Sequence, residues 1–391
     1  MERIIVVGCG FSGSILARKI AEELNKKVII LEKRSSVGGN AYDEYDENGF
    51  LIQRYGPHFI NTNNYDIIKF LLQYTDLTRH DTKLLSFIDN KYVRLPFNFR
   101  TMQQLVGDER SAVLLSKMRS MFSGRDRVPI FELINCEDSD ICEYGELLFD
   151  KAYRTYTAKQ WGISPEEIDK SVLERVPMAM NFDERYLNKD FQYLPTNGYT
   201  ALFKKMLDHP NIECKLNYNA LEHLIIDYAN REVFFDKEKI DLLVYTGPID
   251  ELMGLKYGLL PYRSLEITYD YYDEEKKLPS EIVSYPQANG YTRKTEYKQI
   301  TFDLPRSNKT VVATEYPMAY TPDKEKGNIP YYPVLTENSR NTYQKYKNEI
   351  NGFKNIILCG RLAEFKYYNM DVCIEHAFEK FNEIKQILGG S

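Results

Sequence analysis

Apolar and polar positions alternate in three distinct rhythms along the chain. Ile4-Ile5-Val6-Val7 is a short β-branched run, as expected for a strand buried on both faces. From Ser14 to Leu24, Ile15, Leu16, Ile20, Ala21 and Leu24 share one helical face, and Lys27 to Leu31 returns to strand. The N-terminus therefore predicts a βαβ unit. Leu84–Ile88 and Tyr92–Leu95 flank Asp89-Asn90-Lys91 and predict a hairpin. From about 100 to 180 the spacing is mainly helical, with Glu143 to Lys159 the clearest helix. Asp241–Tyr245 and Asn355–Leu358 predict short buried strands. Between them, Ser264 to Thr314 alternates like an antiparallel sheet, and Met370 to Leu388 predicts a final amphipathic helix. The fold class is mixed α/β.

With 391 residues the chain can bury two or three domains, and no repeat or long linker separates them. A net charge of −6 without a basic block argues against a nucleic-acid partner. No apolar run approaches the ~20 residues of a membrane span. Six cysteines without CxxC spacing argue against a disulfide framework or zinc site, and predict thiols in a cytoplasmic protein.

The candidate chemistry begins at Gly8-Cys9-Gly10-Phe11-Ser12-Gly13, set between strand and helix, with Glu32 ending the next strand. In that context Gly8 allows a tight turn, Gly10 lets backbone approach a pyrophosphate, and Gly13 lets the helix pack closely. The helix N-terminus offers N–H groups to phosphate, and Glu32 can accept from a ribose diol. The run Glu32-Lys33-Arg34-Ser35-Ser36-Val37-Gly38-Gly39-Asn40 resembles the FAD-binding glutathione-reductase-like superfamily. That resemblance implies FAD, with Lys33, Gly39 and Asn40 in its site. It also implies Arg361 at the flavin and its phosphate, and a helix from Met370 aimed at the flavin.

Further segments, in order, resemble the UDP-galactopyranose mutases of bacterial type. They are Arg54-Tyr55-Gly56-Pro57-His58-Phe59, Leu95-Pro96-Phe97-Asn98, Tyr156-Thr157-Ala158-Lys159-Gln160-Trp161-Gly162, Tyr245-Thr246-Gly247-Pro248 and Tyr262-Arg263-Ser264-Leu265. Tyr291-Thr292-Arg293, Pro330-Tyr331-Tyr332-Pro333 and Gly360 to Met370 complete the set. The resemblance implies a discontinuous Rossmann-like FAD-binding domain (1–80, 195–250, 345–391). It adds an inserted helical domain with a mobile substrate loop (99–190) and an antiparallel sheet domain (81–98, 251–344). It implies interconversion of UDP-galactopyranose and UDP-galactofuranose on reduced FAD, through an adduct between flavin N5 and sugar C1 with UDP as leaving group. The implied partners are a nucleotide sugar and NAD(P)H or another external reductant; a homodimer is left open.

By the same resemblance, Arg175 and Arg293 hold the diphosphate, which suits planar guanidinium groups. The lesser alternative for Arg293 is half of a cross-strand ion pair. Tyr186, Tyr332 and Tyr367 hydrogen-bond the diphosphate, Tyr156 stacks on uracil, and Trp161 lies in a loop or hinge beside the site, with a helix-end packing residue as its alternative. His58 sits near the flavin. Pro57, Asn61, Ala179 and Asn369 depart from the family pattern and leave the sugar open. UDP-N-acetylgalactosamine, UDP-arabinose or a dTDP-6-deoxy sugar would share the same core. A flavin oxidoreductase related to amine oxidases is the rival from another class.

Overall fold

In the computed structural model, residues 2–162, 177–300 and 308–389 are described. The β-branched run Ile4–Val7 is the centre of a five-stranded parallel sheet. Its order is Ile212–Lys215, Val28–Leu31, Ile4–Val7, Leu242–Tyr245, Ile356–Leu358. Alternation along these strands sorts side chains onto two faces. Ile4, Val6, Val28, Ile30, Leu242 and Val244 pack beneath the helices Phe11–Glu23 and Met370–Ile387. Ile5, Leu31, Leu243 and Tyr245 face the opposite way, onto a cluster that includes Tyr346 and Ile350 of the helix Glu337–Ile350. Both faces are covered over the other four strands, which is why they read as unbroken apolar runs, while the edge strand Ile212–Lys215 stays partly exposed and polar.

A seven-stranded sheet lies beside it. Its order is Tyr332–Pro333, Tyr262–Tyr272, Thr310–Ala319, Arg293–Glu296, Ile282–Ser284, Leu84–Ile88, Lys91–Leu95. All neighbours run antiparallel except Ile282–Ser284, which pairs parallel with Leu84–Ile88. That pair joins segments almost two hundred residues apart in sequence, so local alternation could not reveal its direction. The hairpin turn is two residues, Asp89 and Asn90, both at positive φ, and Lys91 belongs to the strand rather than the turn.

The expected helix over 143–159 is longer and has an irregularity. Ser139–Leu148 passes through a π-helical turn, Phe149–Arg154, into Thr155–Trp161. Asp138 caps its start by accepting from the Asp140 and Ile141 N–H groups, and Gly162 in the left-handed region ends it. Ile141, Tyr144 and Leu148 bury against Leu114 and Met118 of the helix Asp108–Met121. Among the described residues, no helix is long and apolar enough to cross a membrane.

Candidate cofactor and substrate site

The loops that leave the carboxyl ends of the parallel strands converge on one cavity of about 420 Å³. Gly8, Gly10, Phe11, Ser12, Gly13, Glu32, Lys33, Gly39, Asn40, His58, Arg361, Asn369 and Met370 all line it. Two glycines are forced by close approach. A Cβ on Gly13 would stand 1.9 Å from the Gly8 carbonyl oxygen, and one on Gly39 would stand 2.9 Å from the Gly10 Cα. The two glycine turns therefore touch, and the Gly38 N–H donates to the Cys9 carbonyl at 2.9 Å. Phe11 turns its ring into the core, 4.7 Å from Phe203. The buried Glu32 carboxylate accepts from the Cys9 and Arg34 N–H groups, both at 3.0 Å.

The donors around this cavity fit a dinucleotide. Arg34, which carried no assignment from sequence, holds its guanidinium 4.6 Å over the Tyr55 ring and donates from Nη2 to Asn40 Oδ1 at 2.9 Å. Its Nε and Nη1 are buried without a protein partner among the described residues. Unpaired buried donors on a cation are costly until an anion reaches them. The helix Phe11–Glu23 starts at Gly10 with no side-chain cap and no acidic residue in its first turn, so its N–H groups stay available to phosphate. The Ser12 hydroxyl lies 2.9 Å from the Cys373 thiol, which ties this helix start to that of Met370–Ile387.

A second cluster forms around Trp161. Its ring stands 5.0 Å from Tyr332 and 5.1 Å from Tyr367, and those two are 5.0 Å apart, all edge to face. Trp161 was expected in a loop or hinge. It ends a helix, as the packing alternative had it, and is only 5% exposed, because Tyr332 and Tyr367 enclose it. Arg263 fastens that helix end, donating to the Gln160 carbonyl at 2.8 Å and the Lys159 carbonyl at 3.1 Å. Gln160 in turn donates to the Tyr332 hydroxyl. Lys159 Nζ donates to the carbonyls of Tyr285, Ala288 and Tyr291 at 2.7, 2.7 and 2.9 Å, and burial pushes its pKa down to about 8. This clasps the helix of Tyr156 and Trp161 to the segment leading into Arg293.

Arg293 pairs across the sheet with Glu315. Burial alone would lower the guanidinium, but the Glu315 charge holds it above the usual arginine range. The Tyr156 phenol is raised by burial and opposed by Arg293, and Tyr186 acts on the same arginine. Tyr186 packs on the helical core and its N–H donates to the Thr82 carbonyl at 3.0 Å. His58 connects the two clusters. Burial, then Arg361, then Arg293 lower its pKa to about 4, while the Gly56 carbonyl 2.8 Å from Nδ1 opposes them. The imidazole is neutral at pH 7, with Nδ1–H donated to Gly56 and Nε2 left as an acceptor. Arg175 lies outside the described residues, as does most of the expected substrate loop. Glu315, Lys159 and Arg263 had no role from sequence. Lys159 and Arg263 stood inside quoted motifs, and Glu315 had no local signal.

The sequence profile of the UDP-galactopyranose mutase family matches residues 151–367, and that of an NAD(P)-binding Rossmann-like domain matches 6–75. The chain is 34% identical to a dTDP-fucopyranose mutase of Escherichia coli, over 97% of each chain. It is 33% identical to a UDP-galactopyranose mutase of Mycoplasma pneumoniae, over 98% of this chain and 96% of the relative. A crystal structure of reduced UDP-galactopyranose mutase superposes with a TM-score of 0.73 at 16% identity, covering 100% of this chain and 94% of the other. An oxidoreductase from Methanosarcina mazei superposes with a TM-score of 0.57 at 11% identity, over 97% and 100%. The architecture is thus shared across different activities.

Proposed function

The chain belongs to the UDP-galactopyranose mutase family, and from that membership we propose that it interconverts UDP-galactopyranose and UDP-galactofuranose. It is an isomerase, and the family's cofactor is FAD. One observation carries the reading. Arg293 and Arg361 both act on His58, which lines the dinucleotide cavity, and Tyr331 of the Trp161 cluster lines it too, so the aromatic and arginine cluster adjoins that cavity.

When bound and reduced, FAD supplies an electron-rich nitrogen as nucleophile toward the anomeric carbon. The chain's own residues do the rest. The two glycine turns and the N-terminus of Phe11–Glu23 would hold the cofactor's pyrophosphate, Glu32 its ribose and Arg34 a phosphate. Arg293, together with Arg175, would hold the nucleotide diphosphate in place while the glycosidic bond opens and reforms. Tyr332, Tyr367 and Tyr186 would donate to that diphosphate, and Tyr156 would offer a ring face to the base. His58 Nε2 would be free to accept from a donor on the cofactor or substrate and would not act as an acid at pH 7. NAD(P)H or another external reductant is the proposed source of electrons.

A second reading, a dTDP-6-deoxyhexose mutase, is favoured by the 34% identity to the Escherichia coli dTDP-fucopyranose mutase. The test is turnover of UDP-galactofuranose and dTDP-fucofuranose by the purified flavoprotein, with and without dithionite. Turnover of the UDP sugar only after reduction supports the first reading. A clear preference for the dTDP sugar supports the second. Sustained oxygen consumption coupled to substrate oxidation overturns both.

A further inference from the structure

Two cysteines far apart in sequence meet behind the cofactor turn. Cys9 is buried within the first glycine turn, and Cys214 is exposed on the edge strand Ile212–Lys215, opposite Ile30. Their sulfur atoms are 3.7 Å apart. Among the described residues, no group of three or more His, Cys, Asp or Glu could hold a metal ion at this pair or elsewhere. The geometry points to Cys9 and Cys214 as a peroxide-oxidisable dithiol that closes to a disulfide across the dinucleotide-binding turn and weakens cofactor retention.

The two sulfurs are unequal, as such chemistry requires. Cys9 is buried and Cys214 is exposed, and the contact between the two sulfurs lowers the Cys214 thiol and, together with burial, raises that of Cys9. The accessible Cys214 is therefore the sulfur that peroxide reaches and that attacks as its thiolate, and the buried Cys9 is the partner that resolves. The Cys214 thiolate attacks one peroxide oxygen. The O–O bond breaks, a sulfenic acid forms, and the departing hydroxide takes a proton from solvent. Cys9 sulfur then attacks the sulfenic sulfur. The S–O bond breaks, the S–S bond forms, and the Cys9 proton leaves with the oxygen as water. Two thiols lose two electrons and the peroxide becomes two waters.

Closing a disulfide brings the sulfurs to about 2.05 Å, so they must approach by roughly 1.7 Å. The backbone of Cys9 cannot follow without disturbing the site. Its N–H holds the Glu32 carboxylate at 3.0 Å, and its carbonyl accepts from Gly38 N–H at 2.9 Å and Ser14 Oγ at 3.1 Å. The retention half of the proposal rests on the cofactor site proposed above.

The experiment treats the oxidised flavoprotein with hydrogen peroxide, alkylates it, and maps its peptides by mass. Free flavin is measured in the filtrate, and neither readout needs sugar turnover. The expected result is a linked Cys9–Cys214 peptide, 2 Da lighter than the two reduced peptides, and a several-fold rise in free flavin that dithiothreitol reverses. Cys214→Ser, and Cys214→Ala as a second variant, should give no linked peptide and keep their flavin under peroxide. Alkylation of both thiols after peroxide overturns the proposal. So does a linked peptide with unchanged flavin retention, or equal flavin loss in the Cys214 variants.

Discussion

Arg293 and Glu315 stand opposite each other on adjacent antiparallel strands and close a two-point ion pair, Nε to Oε1 and Nη2 to Oε2, each at 2.8 Å. Two of the three guanidinium nitrogens are thereby fixed, and the arginine is kept charged inside the protein. The cross-strand partner and the diphosphate ligand are thus compatible roles for one residue, because the fork of arginine can serve both.

Arg293→Ala should remove the proposed mutase activity and also destabilise the fold by about 3–5 kcal/mol, since it strands the buried Glu315 carboxylate. Arg293→Lys separates the two effects. It keeps the charge but loses the two-point geometry, so kcat/KM should fall about 10–100-fold with flavin content unchanged. Near-normal kcat/KM in Arg293→Lys would remove Arg293 from the site.

Lys159→Met should leave three carbonyls without their donor, at about 1–3 kcal/mol for each one that stays buried and unpaired. KM for the nucleotide sugar should rise while flavin content holds. In the wild type, deprotonation above about pH 8 leaves two N–H groups for three acceptors. The pH–rate profile should therefore fall above pH 8, and Lys159→Met should lack that limb. Stability moves the other way. The folded pKa lies below the unfolded one, so the unfolded chain binds the extra proton and this group's contribution rises from pH 8 to about 10.4.

His58 should titrate near pH 4 in the flavin-free protein, read from its C2 proton resonance. The folded pKa is depressed, so its contribution is fully present above about pH 6.5 and is lost as pH falls toward 4, on the order of 3 kcal/mol. A His58→Asn variant should flatten the stability curve in that window. An unchanged curve would place the acid sensitivity elsewhere.

Gly13→Ala should empty the flavin site, because the new Cβ lies 1.9 Å from a backbone oxygen that has no rotamer to escape into. A displacement costing about 1.4 kcal/mol of binding is enough for a tenfold loss of affinity. Flavin absorbance per protein measures it, and full occupancy would show that the turn yields more than its packing suggests.

Trp161→Ala should raise KM for the nucleotide sugar and lower stability by about 3–5 kcal/mol, with flavin content retained. The ring packs on Tyr332 and Tyr367 and does not line the dinucleotide cavity. Loss of flavin with an intact thermal midpoint would contradict this placement.

Local rules made the dinucleotide half of the molecule readable. Ile4–Val7, the glycine turn, the helix face of Ile15, Leu16 and Ile20, and Glu32 obey short-range sterics within about thirty residues. The hairpin at Asp89 and Asn90 was legible for the same reason. The strand boundaries of the large sheet and the parallel pairing of Ile282–Ser284 were not, since they depend on partners distant in sequence. The enclosure of Trp161 was equally hidden, because Tyr332 and Tyr367 come from other elements.

By itself the sequence determined the glycine turn between strand and helix, the mixed α/β class and the family, because these reside in residue order and short spacings. Only the tertiary structure decided that Glu315 fixes Arg293, that Lys159 clasps three carbonyls, that Arg34 has two donor atoms unpaired among the described residues and that burial and two arginines lower the His58 imidazole. Those properties arise from burial and from charges brought together across strands, and neither quantity is encoded at any single position of the chain.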